Sequence, residues 1–122
     1  QNIEEDTLAN DNFRKVVFTG KFSQLVLMSL LPLEEIGEET HNNVDQFFRF
    51  ESGVGEVVID GQVMSVKDGS AVVVPAGSKH NVKNTSSTEV LKLYTLYSPA
   101  NHPDGTIHKD KAEAMAAEEH EH

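Results

Sequence analysis

The chain has 122 residues, a formal net charge of −10 and no cysteine. That length fits one domain able to bury about two-thirds of its unfolded surface. Without thiols, disulfides, thiolate zinc sites and cysteine nucleophiles are excluded, so a metal must be held by His, Asp, Glu or amide oxygen. The acidity excludes nucleic acid, whose phosphates call for basic surface, and anionic membrane surfaces as partners. No run approaches the roughly 18 apolar residues of a membrane-spanning helix.

Residues 1–12 are polar and acidic, with no clear period. They offer neither a basic nor an apolar signal region, so a cytoplasmic location is expected. FRKVVF (13–18) predicts a first strand, closed by a turn at Gly20. FSQLVLMSLL (22–31) is apolar on both faces, which predicts a central strand ended by Pro32. After the acidic, turn-rich LEEIGEETHNNVD comes a strand at QFFRFE (46–51), with Phe48 and Phe50 sharing the parity of Gln46 and read as core. VVIDGQVMSV is a hairpin around Asp60-Gly61. Two further strands follow at 71–74 and from Val82, and VLKLYTLY (90–97) is the last; Tyr94 and Tyr97 differ in parity, so at most one of them is expected to face inward. Seven or eight short strands separated by turns predict an all-β sandwich or barrel. The division expected is 1–21 as N-terminal segment and first strand, 22–100 as barrel, and 101–122 as loop, short helix and acidic tail. In that last part Asp110 is the expected N-cap of a helix over 109–119, and EEHEH is a solvated end.

The most constrained stretch is GSAVVVPAGSKHNVKN, Gly69–Asn84. Pro75 cannot donate to a ladder and Gly77 can take a positive φ, so the chain must turn a rigid corner that delivers His80 to the next strand. Across the chain, Glu39 and His41 stand at i and i+2, the spacing that puts two strand side chains on one face. A bend at Asn42-Asn43 lets Gln46 follow them inward. Glu39, His41, Gln46 and His80 are thus the candidate metal ligands, two imidazoles with a carboxylate and an amide oxygen. Such a set suits iron, manganese, nickel or zinc. Asp45 is a competing carboxylate, but alternation turns it away from Gln46. His102 and His108 flank the PDG turn; they are read as part of a surface loop, or alternatively as a lid that brings an imidazole over the barrel mouth.

The same residues resemble the cupin family. Gly69, Pro75, Gly77, His80 and Asn84 fit every fixed position of its second motif, G-x5-P-x-G-x2-H-x3-N. The first motif, G-x5-H-x-H-x3,4-E-x6-G, aligns through His41 and Gly53, with Glu39 in place of its first histidine, Gln46 in place of its glutamate and Leu33 in place of its opening glycine. The likeness spans about 22–97 and extends to small bacterial cupins described as mannose-6-phosphate-isomerase-like. It implies a jelly-roll β-barrel, a homodimer, a divalent transition metal in the barrel mouth and a small-molecule substrate. The function it implies is metal-assisted isomerisation, or a related reaction including dioxygen activation, on a sugar or an oxo or hydroxy acid. The alternative is a non-catalytic module binding a small ligand or metal.

Overall fold

A computed structural model describes residues 2–121, with side chains to residue 117; the reading of EEHEH as a solvated end lies outside those side chains. In chain order the elements are α1 (Ile3–Ala9), β1 (Arg14–Thr19), β2 (Gln24–Leu30), β3 (Glu39–Thr40), β4 (Asp45–Ser52), β5 (Val54–Ile59), β6 (Gln62–Lys67), β7 (Ala71–Val74), β8 (Lys79–Asn84), β9 (Leu91–Ser98), β10 (Ile107–His108) and α2 (Lys111–Glu121). One sheet runs β10-β1-β2-β9-β4-β7 and the other β3-β8-β5-β6. Every pairing is antiparallel. The two sheets enclose one apolar core, so the all-β jelly roll with a short C-terminal helix expected from the sequence is the fold observed.

Register arranges the core in rows. Gln24, Tyr97 and Gln46 lie side by side across β2, β9 and β4; two residues deeper come Val26, Thr95 and Phe48, then Met28, Leu93 and Phe50. Inward residues recur at every second position because successive strand side chains alternate faces. β2 is buried at nearly every position and lies between β1 and β9, as its two apolar faces require. Tyr97 points in and Tyr94 out, where its ring meets Phe47.

Two local features depart from expectation. The aperiodic N-terminus begins with a helix: Asn2 Oδ1 accepts from Glu5 N at 3.0 Å, and Glu4, Glu5 and Asp6 fill the positive first turn. The turn after Pro32 places Leu33 at φ 63°, a left-handed conformation that explains why a glycine is usual there. At the other end of the chain Asp110 caps α2, with Glu113 N on its Oδ1 at 2.8 Å.

Candidate metal centre

His80 is aimed by the corner that precedes it. Ser78 N donates to Pro75 O at 3.1 Å, and Gly77 between them has φ 90°, as the third position of a type II turn requires. The corner also grips the other half of the site. Gly77 N donates to His41 O at 2.7 Å and Ala76 N to Asp45 Oδ1 at 2.8 Å, so Asp45 faces away from the barrel and serves the turn. His80 Nδ1 lies 3.1 Å from Ser78 O. A carbonyl only accepts, so Nδ1 carries the hydrogen and Nε2 keeps its lone pair.

Glu39 reaches the same place through pairing. β3 adds to the edge of β8 with Glu39 opposite His80. His41, two residues on, sets Nε2 at 2.8 Å from Glu39 Oε2, and its ring centroid is 5.6 Å from that of His80. One ligand atom from each of Glu39, His41 and His80 falls within 4.8 Å of the other two. Burial pushes the Glu39 carboxyl up; the hydrogen bond and charge of His41, with Arg14 and His80, outweigh it and hold the carboxyl below its ordinary value. Phe48 lies beneath, its ring 6.3 Å from that of His80.

Gln46 enters from the opposite sheet. Its Nε2 donates to Thr95 Oγ1 at 3.0 Å, while its Oε1 is buried with no hydrogen-bond donor among the described residues. A buried orphaned acceptor is costly. An ionised carboxylate, two imidazole nitrogens and an amide oxygen, with no thiolate, fit a divalent transition ion.

The loop after β9 is drawn into the mouth, unlike the surface loop read from NHPDGTIH. The buried Gln24 fastens it: Oε1 accepts from the backbone N–H of Asn101 and His102, both at 3.1 Å, and Nε2 donates to His102 O at 2.7 Å and Thr19 Oγ1 at 2.9 Å. His102 Nε2 then lies 3.3 Å from Tyr97 Oη, with its ring edge-on to that of Tyr97, which is itself edge-on to His41. Burial first, and the nearby Arg14 charge second, push the His102 imidazole down to about 3, so it is neutral. His108 pairs through β10 with Arg14, Nδ1 to Nη1 at 3.2 Å. Arg14 was not among the sequence candidates, although it shares parity with the buried Val16 and that alternation points it inward.

A cavity of about 200 Å³ opens beside Glu39, lined also by Phe13, Arg14, Ile36, Lys111 and Met115. Another of about 330 Å³ reaches His80 from the Asp60-Gly61 turn. Larger clefts beside α1, about 420 Å³, and along β5 and β6, about 430 Å³, lie apart from the histidines.

An antiparallel jelly roll with histidines and a carboxylate converging at one end defines a class of protein, the double-sheet barrels that carry their site in the mouth. The chain belongs to the cupin family: the Cupin_2 domain profile matches residues 26–97. It is 50% identical over 124 residues to the uncharacterised protein YrkC of Bacillus subtilis, covering 97% of this chain and 66% of that protein. It is 44% identical over 110 residues to the uncharacterised protein L612 of Acanthamoeba polyphaga mimivirus, covering 87% of this chain and 68% of that protein. The chain thus spans about two-thirds of the length of these curated relatives. The crystal structure of BH2720 from Bacillus halodurans is similar over nearly the whole chain, with TM-score 0.93, 43% identity, and 95% of this chain and 92% of that one covered. No helix among the described residues is long and apolar enough to cross a membrane.

Proposed function

We propose that Glu39, His41, Gln46 and His80 bind a divalent transition metal, and that the protein uses it on a small polar metabolite, a sugar or an oxo or hydroxy acid, in an isomerisation or related proton transfer. The observation that carries this reading is the convergence of one atom from each of Glu39, His41 and His80 within 4.8 Å. The bound ion supplies Lewis acidity, polarising a substrate carbonyl or hydroxyl. The chain's own groups do the rest. Ser78 O fixes the tautomer that leaves His80 Nε2 to face the site, and such orienting partners raise ligand basicity. Thr95 holds the Gln46 amide with its oxygen left to serve as donor.

Tyr97 Oη and neutral His102 Nε2, 3.3 Å apart, form a polar pair at the mouth that can orient a substrate hydroxyl or carbonyl by hydrogen bonds without taking up a proton. Elemental analysis of protein purified without added metal is expected to find a stoichiometric divalent ion, and His80→Ala is expected to abolish the rise in melting temperature on metal addition. An unchanged thermal response in His80→Ala, together with metal-free wild type, overturns the ligand set. Turnover of candidate sugars and keto acids, with His41→Ala as the dead control, separates an enzyme from a binding module.

A further inference from the structure

One outer surface of the jelly roll is apolar where water would favour polar side chains. Register lines up Phe18, Leu25, Leu96, Phe47 and Val73 across β1, β2, β9, β4 and β7. Leu25, Leu96 and Phe47 alternate with the inward Gln24, Tyr97 and Gln46, so the row stands on the outside of the sheet. A bulge between Val16 and Phe18, where β1 sets an extra residue against β2, brings Phe18 into it. The end residues Phe18 and Val73 are 66% and 62% exposed, and the three between them are half-buried. An antiparallel sheet with one face in water ordinarily alternates apolar in and polar out. None of the chain's 20 acidic residues stands in this row.

The shape of the face decides what can cover it. Helix α1 lies on its half away from the mouth, where Lys92 Nζ donates to Leu8 O and Asn10 O at 2.8 Å and Leu27 is buried. The face is a raised step beside an open shelf. A flat partner would rest on the step and miss the row. A second copy, turned by half a revolution about the row, fits both levels. It lays each residue of the row on its own twin and carries each α1 past the mouth edge of the other copy. A half-turn about the strand direction would instead set α1 against α1.

The same operation joins a knob to a hole. Phe22, 74% exposed in the turn before β2, lies three residues to the mouth side of Leu25, about 10 Å at strand rise. Lys21 Nζ is 5.3 Å from the centroid of its ring. On the other side of Leu25, the cleft of about 420 Å³ between α1 and the sheet is lined by Val17 and Leu27 together with the acidic Asp6 and Asp11. The half-turn brings the ring and cation of one copy to the apolar floor and carboxylates of the other. It does so twice, as a twofold interface requires. Opposite charges at that contact offset repulsion between copies that each carry −10.

We propose that this face is the interface of a symmetric homodimer, with the twofold axis along the row from Phe18 to Val73 and Phe22 of each copy in the cleft beside α1 of the other. Five strands about 4.8 Å apart make the row roughly 20 Å long. With both clefts filled, the contact reaches the size class of specific interfaces, about 1,200 Å² in total at its lower end, and association in the micromolar range is expected. The interface lies outside the barrel and does not depend on the metal reading.

Sedimentation equilibrium of the full chain across the micromolar range tests this, and the wild type is expected to be a reversible dimer. Phe22→Ala should weaken association about 10- to 100-fold, as removal of an anchoring ring does. Phe18→Glu and Phe18→Lys each set like charges together across the axis and should weaken it similarly. An equimolar mixture of those two should associate at least about 10-fold more tightly than either alone. Val63→Lys, on the outside of the other sheet, should leave the dimer unchanged. The substituted residues are all 60% exposed or more, so the fold tolerates the changes, which urea midpoints verify. A wild type that stays monomeric overturns the inference and leaves the face to an unlike partner. A mixture no tighter than its parts overturns it too, as does a dimer that Val63→Lys breaks as readily as Phe22→Ala. The wild-type measurement decides if the variants fail to fold.

Discussion

The two ends of the barrel are made from the same strands and behave as different materials. At the mouth, β2, β9 and β4 present Gln24, Tyr97 and Gln46, and β8 presents His80. Six residues along β2, about 20 Å at strand rise, the side chain is Leu30, fully buried beside Leu91. At the mouth the polar groups bond to one another and to loops. At the closed end Phe50, Leu93, Met28 and Leu30 pack without exposed surface. One polar residue belongs to the closed end: the Asn84 amide nitrogen is 2.8–3.1 Å from the carbonyl oxygens of Leu30, Leu31 and Glu89, fastening β8 to the end of β2 and to the following turn. The pleat lets one strand serve both purposes, since each inward row can change chemistry without altering the ladder. Changes at the mouth are therefore expected to alter binding, and changes at the closed end to alter stability.

The strongest test of that division is Phe50→Ala. Its ring is fully buried and stacks on Phe48 at 6.4 Å between centroids. Truncation is expected to cost about 3–5 kcal/mol in urea unfolding, while the folded fraction keeps the metal stoichiometry of the wild type. A Phe50→Ala protein that loses metal while retaining its unfolding midpoint would erase the distinction between the ends.

At the mouth, the corresponding stability signal is acidity. His102 is pushed from 6.5 down to about 3, chiefly by burial. The unfolded chain therefore binds a proton that the native one refuses, and stability falls as pH drops below about 6.5 and goes on falling toward 3. Glu39, held below 4.5, adds a loss of the same sign at lower pH. His102→Gln should flatten the stability profile between pH 6.5 and 4.5, measured by urea midpoints at fixed ionic strength. A profile as steep as that of the wild type would show that His102 is not the group responsible.

Asn84→Ala is expected to cost about 1–3 kcal/mol, because the carbonyls it serves lose their donor. Metal uptake should be unaffected, although Asn84 closes the same motif that carries His80. This variant separates the two roles within one sixteen-residue stretch, Gly69–Asn84.

That stretch was legible because its residues have few conformational options. Pro75 and Gly77 force the corner, and one histidine at fixed spacing follows from it. Glu39 was harder to place, since an acidic run reads equally as solvated surface; only pairing with β8 turns it inward. The α1 helix escaped because it buries just Thr7 and has no apolar stripe. Its signal was local, an Asn cap before three acids. Arg14, His102 and His108 depend on long-range closure. Arg14 meets His108 across a separation of 94 residues, and Gln24 captures His102 across 78, and no spacing rule reports such meetings.

The smallest effect expected is a gain, and it lies in the approach to the metal half-site. Leu33 holds φ 63° in the turn between β2 and β3, with its side chain 67% exposed, so it contributes little burial in return for the strain. Left-handed backbone costs a non-glycine residue about 1–2 kcal/mol, and glycine's greater freedom when unfolded returns about 0.5–1 kcal/mol of that. Leu33→Gly should therefore stabilise the fold by roughly 0.5–1 kcal/mol, read as a higher urea midpoint with an unchanged slope. Leu33 N donates to Ser86 O at 3.0 Å, a backbone bond the substitution keeps. A fall in stability would mean that the exposed Leu33 side chain is covered in solution by something outside the described fold. An unchanged metal affinity in this variant would place the turn with the scaffold, although Leu33 stands where the first motif begins.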